Sequence, residues 1–352
     1  MNVPTMGGRC LATLKDISRT LNLSVTQVSR ALNDHSDVNE ETRIRVKEAA
    51  KVLKYQPNIN ARKLARGRSG IVGLIVPYNP NMTSDGMWME IVSGLSAQFS
   101  GRGMQFVLHI AQEQDAILSV YQNLISAGSL DGFVLVEPFA QDVRPAFLAQ
   151  RAIPFVMHGR TQAPVDFPYF DIDNFGLAYQ STKRLIAGGH RRIALINGMQ
   201  GRSYVEARSK GYRHALAEAG VPYQPSWLRH GNMQAATGMI STVEMFKEPK
   251  TGPTAIICAN ILIAKGVYQA LEALGLHVPA DVSVIAHDDV LLGWSSNTFF
   301  PPLTVTRSPL GDSWEPLAEF LSGAIEGKPL VSLQRVAQCE FIQRASVGPA
   351  PA

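Results

Sequence analysis

From Gly70 onward the chain alternates short apolar runs with amphipathic stretches, and it does so in two successive sets. IVGLIVP, MQFVLHI, DGFVLVEP and IPFVMHG are near-continuous hydrophobic runs of strand length, the pattern of buried parallel strands. Between them, 86–100, 113–127 and 142–151 carry helical periodicity. The second set reads helix 174–188, strand RRIALING, helix 204–219, helix 235–247, strand TAIICAN, helix 261–274 and strand VSVIAHDD. Such alternation closes into doubly wound α/β layers. Two sets predict two lobes with a cleft at the carboxyl ends of the strands, where open sheets bind ligands.

At 352 residues the chain has room for this body and a further domain. Charge marks where that domain lies. Residues 1–69 hold 13 Lys+Arg against 6 Asp+Glu, whereas 70–352 hold 20 against 23. A small basic head on a mildly acidic body is the footprint of a nucleic-acid partner, although a solvated basic tail has the same count. No apolar run approaches the roughly 20 residues that span a bilayer, and Met1–Leu11 lacks the pattern of a secretory signal. Cys10, Cys258 and Cys339 are too scattered for a metal cluster or a disulfide framework, so a cytoplasmic protein without metal or cofactor is expected.

The head itself reads as three helices. Leu14, Ile17 and Leu21 recur at helical spacing behind Thr13, an N-cap residue. Asn22 falls where the chain must turn, and Asn tolerates the left-handed conformation. Ser24 caps a second short helix with Val28 and Leu32 on its inner face, and Leu23 packs from the turn. A third begins near Asn39, offers Ile44, Val46, Ala49, Ala50 and Leu53 to a core, and stops before Pro57. Two short helices about so tight a turn form a helix-turn-helix, whose second helix enters the major groove. Its outward residues are Val25, Thr26, Gln27, Ser29 and Arg30; Arg30 can donate twice to a guanine edge, and Val25 or the Thr26 methyl can touch a thymine methyl.

The wording of this region goes further than its periodicity. The T-L-K-D-I opening, the S-V-x-x-V-S-R-x-L-N helix, the E-E-T-R helix and Y-x-P-N-x-x-A-R-x-L together resemble the LacI/GalR family of transcription regulators. The resemblance runs from about Leu11 to about Ser346. One departure is the turn, Leu21-Asn22-Leu23 where the family usually has Ala-Gly-Val. The resemblance implies a helix-turn-helix domain over 11–57, a hinge helix over 58–69 and an effector-binding and dimerisation body over 70–347. It implies a first lobe of about 70–168 and 301–330, and a second of about 169–300 and 331–347. DNA contacts are then expected from Thr13, Ser24, Val25, Thr26, Gln27, Arg30 and Asn33. Arg62, Leu64 and Arg66 are expected from the hinge, Leu64 as the wedge that enters a base step.

The body is expected to resemble periplasmic sugar-binding proteins. Tyr78 and Arg160 follow strands of the first lobe; Arg202, Tyr204, Arg208, Asn260 and Asp288 follow strands of the second, and together they form the expected ligand site. Asn232-Met233 stands where purine-sensing relatives carry a stacking aromatic, and polar groups with rings nearby suit a polyhydroxyl ligand, a sugar of α-glucoside type. His158-Gly159-Arg160 replaces the more usual carboxylate-Arg pair, and Ile261 follows Asn260 where the family has Asp. No P-loop, G-x-G-x-x-G after a strand, H-E-x-x-H or nucleophile elbow occurs, so an enzyme has no residue to rest on. The expected function is a sequence-specific regulator, read as a repressor, whose operator affinity follows a small ligand. The competing reading is a periplasmic-type solute-binding protein without DNA function. EFIQRASVGPAPA carries no leucine heptad, so a homodimer on a pseudo-palindromic operator is expected rather than a tetramer.

Overall fold

The structure is a computed structural model and describes residues 12–55, 68–78, 87–112, 117–162, 164–248 and 251–351. The chain divides into two compact units, Met1–Ser69 and Gly70–Ala352.

In the first unit, helix α1 (Leu14–Leu21) starts where the Asp16 carboxylate accepts the backbone N–H and the hydroxyl of Thr13, at 2.8 and 2.7 Å. It stops at Asn22, which adopts the left-handed conformation expected of it, with φ of 53°. Helix α2 (Val25–Leu32) opens with a reciprocal capping box: the Gln27 N–H donates to Ser24 Oγ and the Ser24 N–H to Gln27 Oε1, both at 3.1 Å. Helix α3 (Glu40–Val52) is capped by Asn39, which accepts the Thr42 N–H at 2.8 Å. Ile17, Val28, Ala31 and Val46 form the buried centre, ringed by Leu14, Leu21, Leu23, Leu32, Val38, Ala49, Ala50, Leu53 and Tyr55. Ile44 does not join it and is 49% exposed. Positions 46, 49, 50 and 53 share one helical face, and 44 lies two residues, about 200°, off it.

The second unit contains two six-stranded sheets. The first holds β1 (Ile71–Pro77), β2 (Gln105–Ala111), β3 (Gly132–Leu135), β4 (Phe155–His158), β5 (Tyr169–Ile172) and β11 (Gln334–Ala337), in the order β11-β5-β4-β3-β1-β2 and parallel throughout. The second holds β6 (Ile193–Asn197), β7 (Leu228–His230), β8 (Ala255–Cys258), β9 (Ser283–Asp288), β10 (Thr304–Arg307) and β12 (Glu340–Ile342), in the order β12-β10-β9-β8-β6-β7. Only β12 runs antiparallel to its neighbour. Helices α4 (Met87–Gly101) and α11 (Trp314–Glu326) cover one face of the first sheet, α5 (Ile117–Ser126) and α6 (Val143–Ala149) the other. On the second sheet α7 (Asn174–Ala187) and α8 (Ser203–Glu218) lie opposite α9 (Ala235–Met245) and α10 (Ile261–Ala273). Both lobes are thus doubly wound.

The chain crosses between lobes at places other than those read in the sequence. Residues 169–172 stay in the first lobe, because β5 pairs with β4 and β11. Residues 304–307 belong to the second lobe, where Thr304–Arg307 run beside Ile285–Asp288. The 331–347 segment is split, β11 going to the first sheet and β12 to the second. These strands are three or four residues long and lack an apolar run, so periodicity could not show them. β2 also differs from its reading as a buried strand: it is the edge of its sheet, with Val107 and Ile110 exposed.

Candidate effector cleft and nucleic-acid interface

On the head, Val25, Thr26, Gln27 and Arg30 lie on the exposed side of α2, while Ser29 is half-buried. Thr13, Ser24 and Asn33 are exposed too, but their side chains also serve the helices. Thr13 and Ser24 sit in the caps just described, and Asn33 Nδ2 donates to the Ser29 carbonyl at 2.8 Å. Gln27 is likewise engaged by Ser24. Arg30 Nη1 pairs with Asp37 Oδ2 at 2.5 Å. Arg62, Leu64 and Arg66 lie outside the described residues.

In the body, a cavity of about 440 Å³ opens at the carboxyl ends of strands from both sheets. Tyr78, Arg160, Arg202, Tyr204, Arg208 and Asn260 all line it. Tyr78, Arg160, Arg202 and Asn260 are placed by a strand end and the turn that follows, Tyr204 and Arg208 by the first turns of α8. Arg208 is buried on α8; its Nε donates to Asn174 Oδ1 and its Nη1 to the Ala259 carbonyl, both at 2.8 Å. The approach of α8 to α7 depends on Gly211, where an added Cβ would stand 2.2 Å from the Phe175 carbonyl oxygen. Arg160 Nε pairs with Asp171 Oδ2 at 2.8 Å, and Asp171 Oδ1 accepts Asn174 Nδ2 at 3.1 Å. A continuous polar chain, Arg160–Asp171–Asn174–Arg208, therefore runs across the cavity wall from the first lobe to the second.

Asn260 caps α10 by accepting the Ile263 N–H at 2.9 Å and donates Nδ2 to the Met233 carbonyl at 3.1 Å. Tyr204 lies 5.2 Å beneath the Arg208 guanidinium, and burial pushes its phenol up to about 12. Arg202 donates to the Glu137 carbonyl at 2.5 Å and lies over the Phe139 ring at 4.1 Å. Around it the Ala140 N–H donates to Gly201 and the Ser203 N–H to Pro138, at 2.8 and 2.9 Å. These bonds join the loop after β3 to the loop after β6, one from each lobe. Tyr78 is exposed at the mouth.

Asp288 does not line the cavity. Its carboxylate accepts Ser296 Oγ at 2.7 Å and the Val290 N–H at 2.9 Å, and it is buried in that turn. The carboxylate that this strand end presents to the cavity is Asp289. Side chains alternate along an extended chain, so a one-residue shift exchanges the faces. Asp289 accordingly shares a side with His287, whose Nε2 is 3.2 Å from Asp289 Oδ1. Burial pushes the Asp289 carboxyl up, but His287, Arg208 and His158 outweigh it and hold it below the usual carboxylate range. Burial lowers His158, at the cavity wall, against the pull of Asp171 and Asp289.

Sequence reasoning also missed Trp88, Glu137, Asp171 and Asn174, all at the cavity. Asp171 lies in the short strand β5 and Asn174 just after it, and Trp88 sits in the first turn of α4, so no strand-end signal pointed to them.

A basic helix-turn-helix head and a two-lobed α/β body with a cavity at its strand ends define a DNA-binding transcription regulator. The comparisons with known proteins agree. Residues 13–58 match the family described as bacterial regulatory proteins, lacI family, and residues 69–314 match the periplasmic binding proteins and sugar binding domain of LacI family. The chain is 38% identical over 339 residues to the HTH-type transcriptional regulator AglR of Rhizobium meliloti (strain 1021), covering 96% of this chain and 95% of that protein. It is 31% identical over 342 residues to the HTH-type transcriptional regulator CelR of Thermobifida fusca, covering 95% and 98%. Among solved structures, a transcriptional regulator CelR–cellobiose complex matches at 29% identity with a TM-score of 0.69, covering 95% of this chain and 99% of that one. The lac repressor dimer bound to operator and the anti-inducer ONPF shares the fold at 24% identity and a TM-score of 0.79, covering 96% and 99%. The chain belongs to the LacI family of bacterial regulatory proteins. The alternative of a solute-binding protein without DNA function is set aside by the match over the head. Among the described residues no helix is long and apolar enough to cross a membrane.

Proposed function

We propose that this regulator binds a pseudo-palindromic operator as a homodimer, acts from the cytoplasm without catalysis, and adjusts its grip according to a sugar held between the lobes. The observation that carries the sugar reading is the cavity: its polar chain of Arg160, Asp171, Asn174 and Arg208 stands with Asp289, and Trp88 and Tyr204 supply aromatic surface. Fixed donors and acceptors beside aromatic surface suit the hydroxyls and apolar ring faces of a saccharide. The cellobiose of the CelR complex supports the same chemical class.

Val25, Thr26, Gln27 and Arg30 are proposed as base contacts in the major groove, with Thr13, Ser24 and Asn33 on the phosphate backbone. Arg62, Leu64 and Arg66 are proposed for the minor groove at the operator centre. Pairing of two copies through the body follows from the need to read two half-sites. Residues 343–351 are engaged with their own lobe: Ser346 Oγ donates to the Val284 carbonyl at 2.6 Å and the Ala350 N–H to the Gly188 carbonyl at 2.9 Å.

The test is a thermal-shift screen of α- and β-linked glucosides, monosaccharides and nucleosides, followed by gel shifts with and without each hit. A bound sugar raises the melting temperature with concentration, by about 2.7 kcal/mol of stabilisation at a hundredfold excess over Kd, and changes operator affinity. A nucleoside that does both while no sugar does would overturn the reading.

A further inference from the structure

The guanidinium proposed to read a base already has a partner. Arg30 Nη1 donates to Asp37 Oδ2 at 2.5 Å, and Asp37 lies in the loop between α2 and α3. An exposed ion pair of this kind contributes little on its own, because water competes for both groups. What distinguishes it is the construction of the loop. Arg43 on α3, only 20% exposed at its side chain, donates through Nη2 to the His35 and Val38 carbonyls at 3.1 and 3.0 Å. Those two carbonyls flank Asp37.

Further bonds fix the same loop. Lys47 Nζ holds Asp34 Oδ1 at 2.6 Å. The His35 N–H donates to the Arg30 carbonyl at 3.1 Å, and the Val38 N–H to the His35 carbonyl at 3.2 Å. Val38 packs against the buried centre of the head. The Asp37 carboxylate therefore stands on backbone secured on both sides, aimed at the residue on α2 that faces outward.

An arginine that must search for a base edge loses rotamer freedom when it finds one, and an arginine already held loses less. The pair with Asp37 engages one of five guanidinium N–H donors, and a guanine edge needs only two. We propose that Asp37 is a positioning residue for base recognition: it holds the Arg30 fork by one nitrogen so that the remaining donors meet guanine O6 and N7 in a fixed orientation. This rests on the reading of Arg30 as a base contact. Its negative charge also repels phosphates, so it sharpens discrimination while lowering affinity for unrelated DNA.

The test uses the full chain and a duplex selected by the wild-type protein from a randomised pool. Binding is measured to that duplex and to every single-base variant of one half-site, for wild type, Arg30→Ala, Asp37→Ala, Asp37→Glu and the double Ala variant. Arg30→Ala should lose at least about fivefold in preference at one position. Asp37→Ala should lose about three- to tenfold at that same position, with the other positions and the melting temperature unchanged. Asp37→Glu should restore part of the preference, and Asp37→Ala should add nothing in the Arg30→Ala background.

If Asp37→Ala raises affinity for every duplex by one factor, the carboxylate is only a competitor and the proposal fails. An effect that persists in the Arg30→Ala background means a structural role and also overturns it. An Arg30→Ala protein that keeps full base preference removes the reading of Arg30 itself, and the positioning role falls with it.

Discussion

Asn174 accepts the Arg208 Nε–H on Oδ1 at 2.8 Å while its own Nδ2 donates to Asp171 at 3.1 Å, so one amide ties a cation of the second lobe to a carboxylate of the first. All three groups are buried. Removing the amide leaves a buried donor and a buried acceptor each short of a partner, a loss of about 1–3 kcal/mol. Asn174→Ala should therefore lower the melting temperature by several degrees and weaken sugar binding, with DNA binding by the folded protein retained. Differential scanning calorimetry and titration calorimetry check the two effects separately.

That amide also marks where the sequence stopped being legible. Each long buried strand announced itself as an apolar run, and the positions that follow such runs, Arg160, Arg202, Tyr204, Arg208 and Asn260, do line one cavity. Asp171 lies within β5 and Asn174 just after it, and β5 is a four-residue strand whose middle residues alone are buried, so neither carried such a signal. Residues 304–342 failed for a related reason. Their strands are short, and their assignment to one sheet or the other is made by pairing with distant strands, which local periodicity does not encode. In the head, where caps and turns are local chemistry, Thr13, Asn22, Ser24 and Asn39 perform the roles their residue types suggest.

The exchange of Asp288 for Asp289 at the cavity gives a second prediction. Asp289 lines the cavity with its carboxyl held ionised, whereas Asp288 is occupied by Ser296 and the Val290 N–H. Asp289→Asn should abolish or greatly weaken sugar binding at nearly unchanged stability. Asp288→Ala should instead destabilise the fold by about 1–3 kcal/mol, since it strips the buried Ser296 hydroxyl and the half-buried Val290 N–H of their acceptor. Urea denaturation beside isothermal titration separates them; equal loss of binding at equal stability in both variants would contradict the assignment.

His190 supplies a pH dependence. The ring is fully buried, with Nδ1 3.0 Å from Thr254 Oγ1 and Nε2 3.2 Å from the Gly348 carbonyl. Burial lowers its pKa, and the Gly348 carbonyl only partly opposes this. The folded pKa thus lies below the unfolded one, so the unfolded chain binds more protons in the window between them. The stabilising contribution is complete above the unfolded value of about 6.5 and is lost as pH falls from there through the folded pKa. The half-buried His158 contributes with the same sign. Melting temperatures should therefore fall between pH 7.5 and 5.5, and His190→Gln should reduce that slope without removing it. An unchanged slope in the variant would show that His190 takes no part.

Residues 58–69, proposed to act at the operator centre, should be coupled to the ligand cavity. Leu64 stands among Arg62, Lys63, Arg66 and Arg68, and an apolar side chain in so basic a segment has a use if it enters a base step. Unstacking that step costs a few kcal/mol, offset by the bend and the additional contacts it allows. A sugar can alter this only through a difference in its affinity for the operator-bound and free states of the protein. The two sites should then fail independently. Leu64→Ala should lose most operator affinity and the operator bend while binding sugar as the wild type does. Asp289→Asn should bind and bend the operator normally and lose the response to sugar. Gel shifts with circularly permuted operator fragments, read beside isothermal titration of the free proteins, measure all four quantities. A Leu64→Ala protein that still bends its operator would reduce residues 58–69 to a tether, and the coupling would then have to run through some other contact with DNA.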